Sequence, residues 1–219
     1  MKVLCHLSGG FDSVASTLVA ANELDVNDKF STVFYAIGQP YESQEREAAN
    51  YVVSMLRSLF PDKYVGHHEL SLNILASFDP NLPSAYIPVR NLVLSSSSAN
   101  LAIALGYDKV AVGNKTIAVR EDDPYSFSDC SVKFYSMMSD ISTFASEGKK
   151  LEFIMPLVLA EGEDMYSYTK DEVMGICESN GIDLTKLWSC YENGVIPCGV
   201  CYHCQEIKKT SYSDRFFKE

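Results

Sequence analysis

Positive charge, long apolar runs and scattered cysteines are all scarce in this 219-residue chain. Lys and Arg number 18 against 29 Asp and Glu, giving a net charge of -11 and a pI near 4.8. Nucleic-acid phosphates would meet repulsion over most of such a surface, so small substrates are expected and a direct nucleic-acid partner is not. No stretch approaches the roughly 20 apolar residues of a membrane span. Met1 to Cys5 runs straight into a motif without a signal-peptide pattern, so the expected location is cytoplasmic, with no membrane partner. An odd number of cysteines, seven, without a secretory signal argues against a disulfide framework. There is no internal repeat, no Walker lysine and no G-x-G-x-x-G, which excludes the two usual nucleotide-binding motifs.

With 47% hydrophobic residues, the chain can bury a full core but is too short for two large domains. Strand-like runs recur at Val3 to Leu7, Thr32 to Ile37, Tyr64 to Leu70, Lys109 to Val112 and Leu151 to Met155. Helical patterns lie between most of them: Asp12 to Ala21, with a capping residue at its start, Arg46 to Leu59, and Asn91 to Leu105. This alternation predicts βαβ units, hence an α/β fold with an open parallel sheet and helices on both faces. The run Ser95 to Ser98 has the composition of a linker, but its apolar flanks predict a small-residue helix packed tightly on the sheet. Thr169 with Glu172 three residues on forms a capping box. Ile117 to Phe127 reads as a long loop at the strand ends, where open parallel sheets bind ligands.

Ser8-Gly9-Gly10-Phe11-Asp12-Ser13 follows the first strand and opens the first helix. Exposed N–H groups and the positive end of a helix dipole then share one spot, which suits an anion. A bare double glycine would be only a tight turn. The whole string S-G-G-x-D-S resembles the pyrophosphate (PP) loop of the ATP pyrophosphatase superfamily, whose fold is of the adenine nucleotide alpha-hydrolase type. That resemblance implies ATP and Mg2+ as cofactors and adenylation of a substrate oxygen with release of pyrophosphate. It assigns ATP to Leu7, Ser8, Gly9, Gly10, Phe11, Asp12, Ser13 and Gly38, with Asp12 near the metal.

Cys190, Cys198, Cys201 and Cys204 stand apart in composition, four soft ligands within fifteen positions. They can close a tetrahedral metal site without long-range help, and an iron-sulfur cluster is the rival occupant. Four thiolates leave no open position, so a zinc ion there would be structural. His203 reads as a bystander, and His67 and His68 as structural. The expected organisation is 1–187 as the ATP-binding domain and 188–219 as a small metal-binding segment packed on it.

In chain order the segments resemble the 7-cyano-7-deazaguanine synthase (QueC) family: the phosphate loop, Gly38-Gln39, Pro88-Val89-Arg90-Asn91, Gly113-Asn114, Asp129-Cys130 with Phe134, Trp188-Ser189-Cys190-Tyr191, and Pro197 to Cys204. The resemblance implies conversion of 7-carboxy-7-deazaguanine, ammonia and ATP to the nitrile, in deazaguanine biosynthesis of the queuosine or archaeosine type. It implies Zn2+ at the four cysteines, Asp12 and Arg90 as catalytic, substrate contacts from Arg90, Asn91, Gly113, Asn114 and Asp129, and a homodimer. A cation at a helix start is disfavoured by the dipole, which independently suggests an anionic partner for Arg90. Asp129 has a second reading, as cap of a helix beginning near Val132. Where the family pattern has aspartate, glycine and arginine, this chain has Ala36, Val89 and Ser131, so a changed substrate is one alternative. A tRNA-thiolating enzyme on the same loop and a zinc-ribbon module with a vestigial nucleotide fold are two more. No glutaminase segment is present, so free ammonia or a partner is expected to supply nitrogen.

Overall fold

The computed structural model describes residues 1–74, 87–119, 127–161 and 164–217. Five parallel strands, β1 (Lys2–His6), β2 (Lys29–Ala36), β3 (Tyr64–Ser71), β4 (Lys109–Ala111) and β5 (Glu152–Ile154), form one sheet in the order β3-β2-β1-β4-β5. Alternate residues of the central strands feed opposite faces. Val3, Cys5, Leu7, Phe30 and Phe34 pack under helices α1 (Phe11–Asn22), α2 (Glu42–Leu59) and α5 (Lys170–Ser179). On the other face Leu4, Val33 and Tyr35 meet Ala99 and Ala102 of α3 (Arg90–Leu105) and Tyr135 and Met138 of α4 (Val132–Ala145). Burial on both faces explains why β2 reads as a nearly continuous apolar run. Strand order reverses at β1, and the crevice above that point is where such sheets bind ligands.

The serine run lies inside α3, with Ser95 and Ser98 buried. Ser98 hydrogen-bonds Tyr35 and also His6 Nε2, the latter at 2.6 Å, so small side chains let the helix sit close to the sheet. His67 and His68 are structural, bonded to Thr32 (2.8 Å) and Tyr107 (3.3 Å). The Thr169 and Glu172 capping box is formed at α5.

Three boundaries differ from expectation. Helix α2 starts at Glu42, a turn before Arg46, because its acidic first turn suits the dipole although it lacks the buried apolar residues that mark a helix in sequence. An antiparallel hairpin, β6 (Val158–Glu161) with β7 (Asp164–Ser167), was not anticipated, being short and mostly exposed. Asp12 does not cap α1. Gly10 is the N-cap without a capping side chain, and the Phe11 N–H instead donates to Ser189 Oγ at 3.2 Å.

The C-terminal stretch carries a short helix, α6 (Tyr202–Lys208), and shares the core on the α1 side. Ile207 is buried there, and the Phe216 ring meets Phe11 edge-on at 5.6 Å.

Val89, which precedes α3, sits in the left-handed region at φ 52° and ψ 21°. A β-branched residue there is strained by about 1–2 kcal/mol, and the family pattern has glycine at this position. Val89→Gly is therefore expected to stabilise the chain by up to about 1 kcal/mol after glycine's entropy cost. A rise in Tm of about 2–4 °C would register it, and a fall would show that the Val89 conformation is unstrained.

Candidate active site

A cleft of about 220 Å³ opens at the carboxyl ends of β1, β2 and β4. Its floor is the phosphate loop, which is closed by its own hydroxyls. Ser8 N–H and Ser8 Oγ both donate to Ser13 Oγ at 3.1 Å, and Ser13 Oγ donates to Gly10 O at 2.9 Å. Gly9 has φ +84°, and a Cβ there would lie 2.6 Å from Glu45 O and 2.7 Å from Ala48 Cβ. Only glycine lets α2 rest on the loop so closely. At Gly113 a Cβ would meet Ser13 N and Cα at 2.9 Å, so this glycine lets the end of β4 press on the first turn of α1.

Of the residues expected to bind ATP, Leu7, Ser8, Asp12 and Ser13 line the cleft, whereas Gly9, Gly10, Phe11 and Gly38 do not. Phe11 points into the core, and the Gly38 N–H donates to Glu42 Oε2 at 2.8 Å. Arg90, Asn91, Gly113 and Asn114 line the cleft; Asp129 does not. Asp129 instead secures the start of α3: Asn91 N–H donates to Asp129 Oδ2 at 3.3 Å and Asn91 Nδ2 to Asp129 O at 3.1 Å. Nor does Asp129 cap α4. Ser131 does, accepting from Phe134 N at 3.3 Å, so the serine that replaces the family's arginine has a local role as a helix cap. Ala36, the other departure, is buried in the core at the end of β2. Most of the charged loop, residues 120–126, lies outside the described residues.

The sequence reading missed several groups that the fold brings to the cleft or to Asp12 at its edge. Lys170 Nζ lies 2.5 Å from Asp12 Oδ2 and 5.8 Å over the Phe11 ring, and Lys115 Nζ donates to Tyr168 O at 2.9 Å. Burial raises the Asp12 carboxyl, but Lys170 and Lys115 outweigh it and hold it below the usual carboxylate range. One signal was available for Lys170, a cation in the first turn of a helix against its dipole. His6 and His203 line the cleft itself. Burial pushes them down to about 4 and about 3, so both stay neutral at working pH.

Glu45, in the first turn of α2, accepts from Gln39 Nε2 at 2.6 Å beside Tyr41 and Tyr191, whose rings are 5.6 Å apart. Burial, helped by Glu42 and opposed by Gln39 and Arg90, raises its carboxyl from 4.5 to about 7. A raised acid binds its proton more tightly in the folded chain. Its stability contribution is therefore complete below pH 4.5 and is lost as pH rises through about 7. Glu45→Gln is expected to recover on the order of 2 kcal/mol at pH 8 and almost nothing at pH 4.5. Thermal melts at the two pH values check the difference.

The four cysteines meet beside this cleft, with all four Sγ atoms within 4.8 Å of one another. Cys190 to Cys201 and Cys198 to Cys204 are each 3.9 Å apart. Bonds of about 2.3 Å to one tetrahedral ion place sulfurs about 3.8 Å apart. A four-iron cube holds its cysteine sulfurs outward from the corners and so farther from one another. Backbone N–H groups of Glu192 and Cys198 donate to Cys190 Sγ, and those of Val200 and Cys201 to Cys198 Sγ, at 3.3–3.4 Å, which suits thiolates. His203 stays outside this set, its ring 4.6 Å from that of Tyr191.

The knot reaches the phosphate loop through the residues just before it. Trp188 N–H donates to Gly9 O at 3.1 Å, and Ser189 Oγ caps α1. The segment from Trp188 to Cys204 thus clamps the loop from outside the sheet while lining the cleft with Tyr191 and His203.

The family described as Queuosine biosynthesis protein QueC matches residues 2–214, a span that holds both the loop and the knot. The chain belongs to the QueC family. It is 27% identical to the 7-cyano-7-deazaguanine synthase of Nitratiruptor sp., covering 94% of this chain and 91% of that protein. The synthase of Methanospirillum hungatei is 28% identical, with 93% and 91% covered. Against the 27% identical synthase of Saccharolobus solfataricus the match covers 93% of this chain but spans only 43% of that protein's length. The U34-tRNA thiolase NcsA from Methanococcus maripaludis, solved with its [4Fe-4S] cluster, superposes with a TM-score of 0.53 at 16% identity, over 89% of this chain and 62% of that one. That likeness shows the PP-loop fold. Among the described residues no helix is long and apolar enough to cross a membrane.

Proposed function

We propose that this chain converts 7-carboxy-7-deazaguanine, ammonia and ATP to 7-cyano-7-deazaguanine. The observation that carries the reading is the cleft itself, where an S-G-G-x-D-S loop clamped by a cysteine knot faces Arg90, Asn91 and Asn114 in a QueC family chain. The loop N–H groups and the start of α1 would hold the β and γ phosphates. A carboxylate is a poor electrophile, so one of its oxygens attacks the α phosphate, the α–β bond breaks and pyrophosphate leaves. Ammonia displaces AMP from the acyl adenylate to give the amide. Adenylation of the amide oxygen and loss of AMP and a proton then give the nitrile. The chain's own contribution is positioning and charge stabilisation. Arg90 would bear on the reacting carboxylate or phosphate, and Lys170 and Lys115 would face the departing pyrophosphate. Neutral His6 and His203 add no charge and, with Tyr41 and Tyr191, wall the cleft from water.

Asp12 Oδ1 is buried without a hydrogen-bond partner among the described residues, which fits a cation. Mg2+ bound there would neutralise charge on the leaving pyrophosphate. At the knot, thiolates at single-ion spacing fit Zn2+ in a structural role within segment 188–219, next to an ATP-binding domain of residues 1–187. Colourless protein with one zinc per chain is expected, and a brown protein would favour the thiolating alternative. Mass spectrometry of a reaction containing the acid, ammonium and ATP should show the nitrile. Its absence from a chain that still cleaves ATP with another acid would move the activity to a different substrate.

A further inference from the structure

We infer that Glu45 reads the hydrogen-bonding edge of the substrate ring, accepting from the ring N–H and exocyclic amino group of a guanine-type base. The inference rests on the proposed reaction and adds the residue that selects its substrate. An edge of that kind offers two N–H donors beside a carbonyl, so it needs a carboxylate next to a donor or cation. Among the described residues lining the cleft, the carboxylates are Asp12 and Glu45. Asp12 is engaged by Lys170 at 2.5 Å.

Glu45 is oriented for the task. Gln39 donates to its Oε2 at 2.6 Å and is itself fixed by accepting from Ile37 N–H at 3.1 Å. Arg90 lines the same cleft, close enough for its charge to act on Glu45, and because the ring carbonyl neighbours the 7-carboxylate on the substrate, its guanidinium can donate to both. Tyr41 and Tyr191 give flat aromatic surface for a planar bicyclic ring. The main chain of Glu45 lies against Gly9, where a Cβ would come within 2.6 Å of Glu45 O. A base held by Glu45 is therefore registered against the phosphate loop. Two N–H donors would offset the cost of the burial that raises the Glu45 carboxyl to about 7.

The test compares 7-carboxy-7-deazaguanine with its analogue lacking the 2-amino group, on the wild-type chain and on Glu45→Gln. The wild type should lose about 10²–10⁴ in kcat/KM on the analogue, because its carboxylate is left without a donor. Glu45→Gln should lose about 10²–10³ on the natural acid yet treat the two acids within about 3-fold, with its KM for ammonium unchanged. A variant that discriminates as the wild type does overturns the inference. So does a raised ammonium KM with unaltered use of the acid, which would make Glu45 an ammonium site. Calorimetric binding of the two acids separates this from failure of the reaction itself. Glu45-dependent preference for the amino-bearing ring without nitrile formation would sink the proposed reaction alone, and no preference between the rings would sink the inference.

Discussion

Removing the metal proposed for the cysteine knot is expected to abolish the proposed ATP cleavage, although among the described residues no cysteine lines the cleft. The clamp that runs from Cys190 back to the phosphate loop is only two residues long. Trp188 N–H holds Gly9 O at 3.1 Å and Ser189 Oγ holds the first N–H of α1 at 3.2 Å. Trp188, Cys190 and Cys204 share a small core with Ala48 of α2, whose Cβ would lie 2.7 Å from any Cβ at Gly9. When the thiolates lose their ion they repel or protonate, and this core opens under the loop. Chelation, or Cys204→Ser, should cost about 3–5 kcal/mol, a Tm lower by about 10 °C, and leave no measurable pyrophosphate release. Ser189→Ala separates clamp from knot. It should keep the metal and lower Tm by no more than about 3 °C, consistent with loss of one cap, while weakening ATP binding about 5- to 30-fold. Metal-free protein that cleaves ATP at the native rate would show that the knot and the loop are independent.

The second large effect is expected at Lys170. Its ammonium compensates Asp12, which lines the cleft, and Lys170→Met leaves that carboxylate buried beside Lys115 alone. Removing one partner of such a pair costs about 3–5 kcal/mol. Urea unfolding should show that loss, and it should largely disappear in the double variant Asp12→Asn with Lys170→Met. Activity should not return with stability. Both variants should fall at least about 10³-fold in pyrophosphate release, since each lacks charge proposed to face the leaving group. Recovery of activity in the double variant would reduce the pair to a structural ion pair.

These effects were unevenly legible in the sequence. The parallel sheet could be read because β1 and β2 are buried on both faces and so appear as unbroken apolar runs. The loop and the knot could be read because their spacing is local. Lys170 could not be paired with Asp12, since 158 positions separate them and only the α1 and α5 packing brings them together. Glu45 was hidden by its helix: an acidic first turn looks like solvated surface, and α2 reads as beginning at Arg46. Ser189 is the plainest case. It caps α1 from 178 residues away, while the neighbouring Asp12, the sort of residue that caps helices, lies in the first turn. The cap reading of Asp129 failed for a related reason, because two polar residues compete for one cap and tertiary contact with Asn91 leaves it to Ser131.

The proposed reaction turns on adenylation of the carboxylate, and oxygen tracing tests that step directly. With 7-carboxy-7-deazaguanine labelled by oxygen-18 in the carboxylate, each adenylation and displacement hands a substrate oxygen to the α phosphate. Label leaving the base is expected in AMP, with unlabelled pyrophosphate formed in equal amount. Label in inorganic phosphate alongside ADP, or label that never leaves the base while ATP is cleaved, would contradict it.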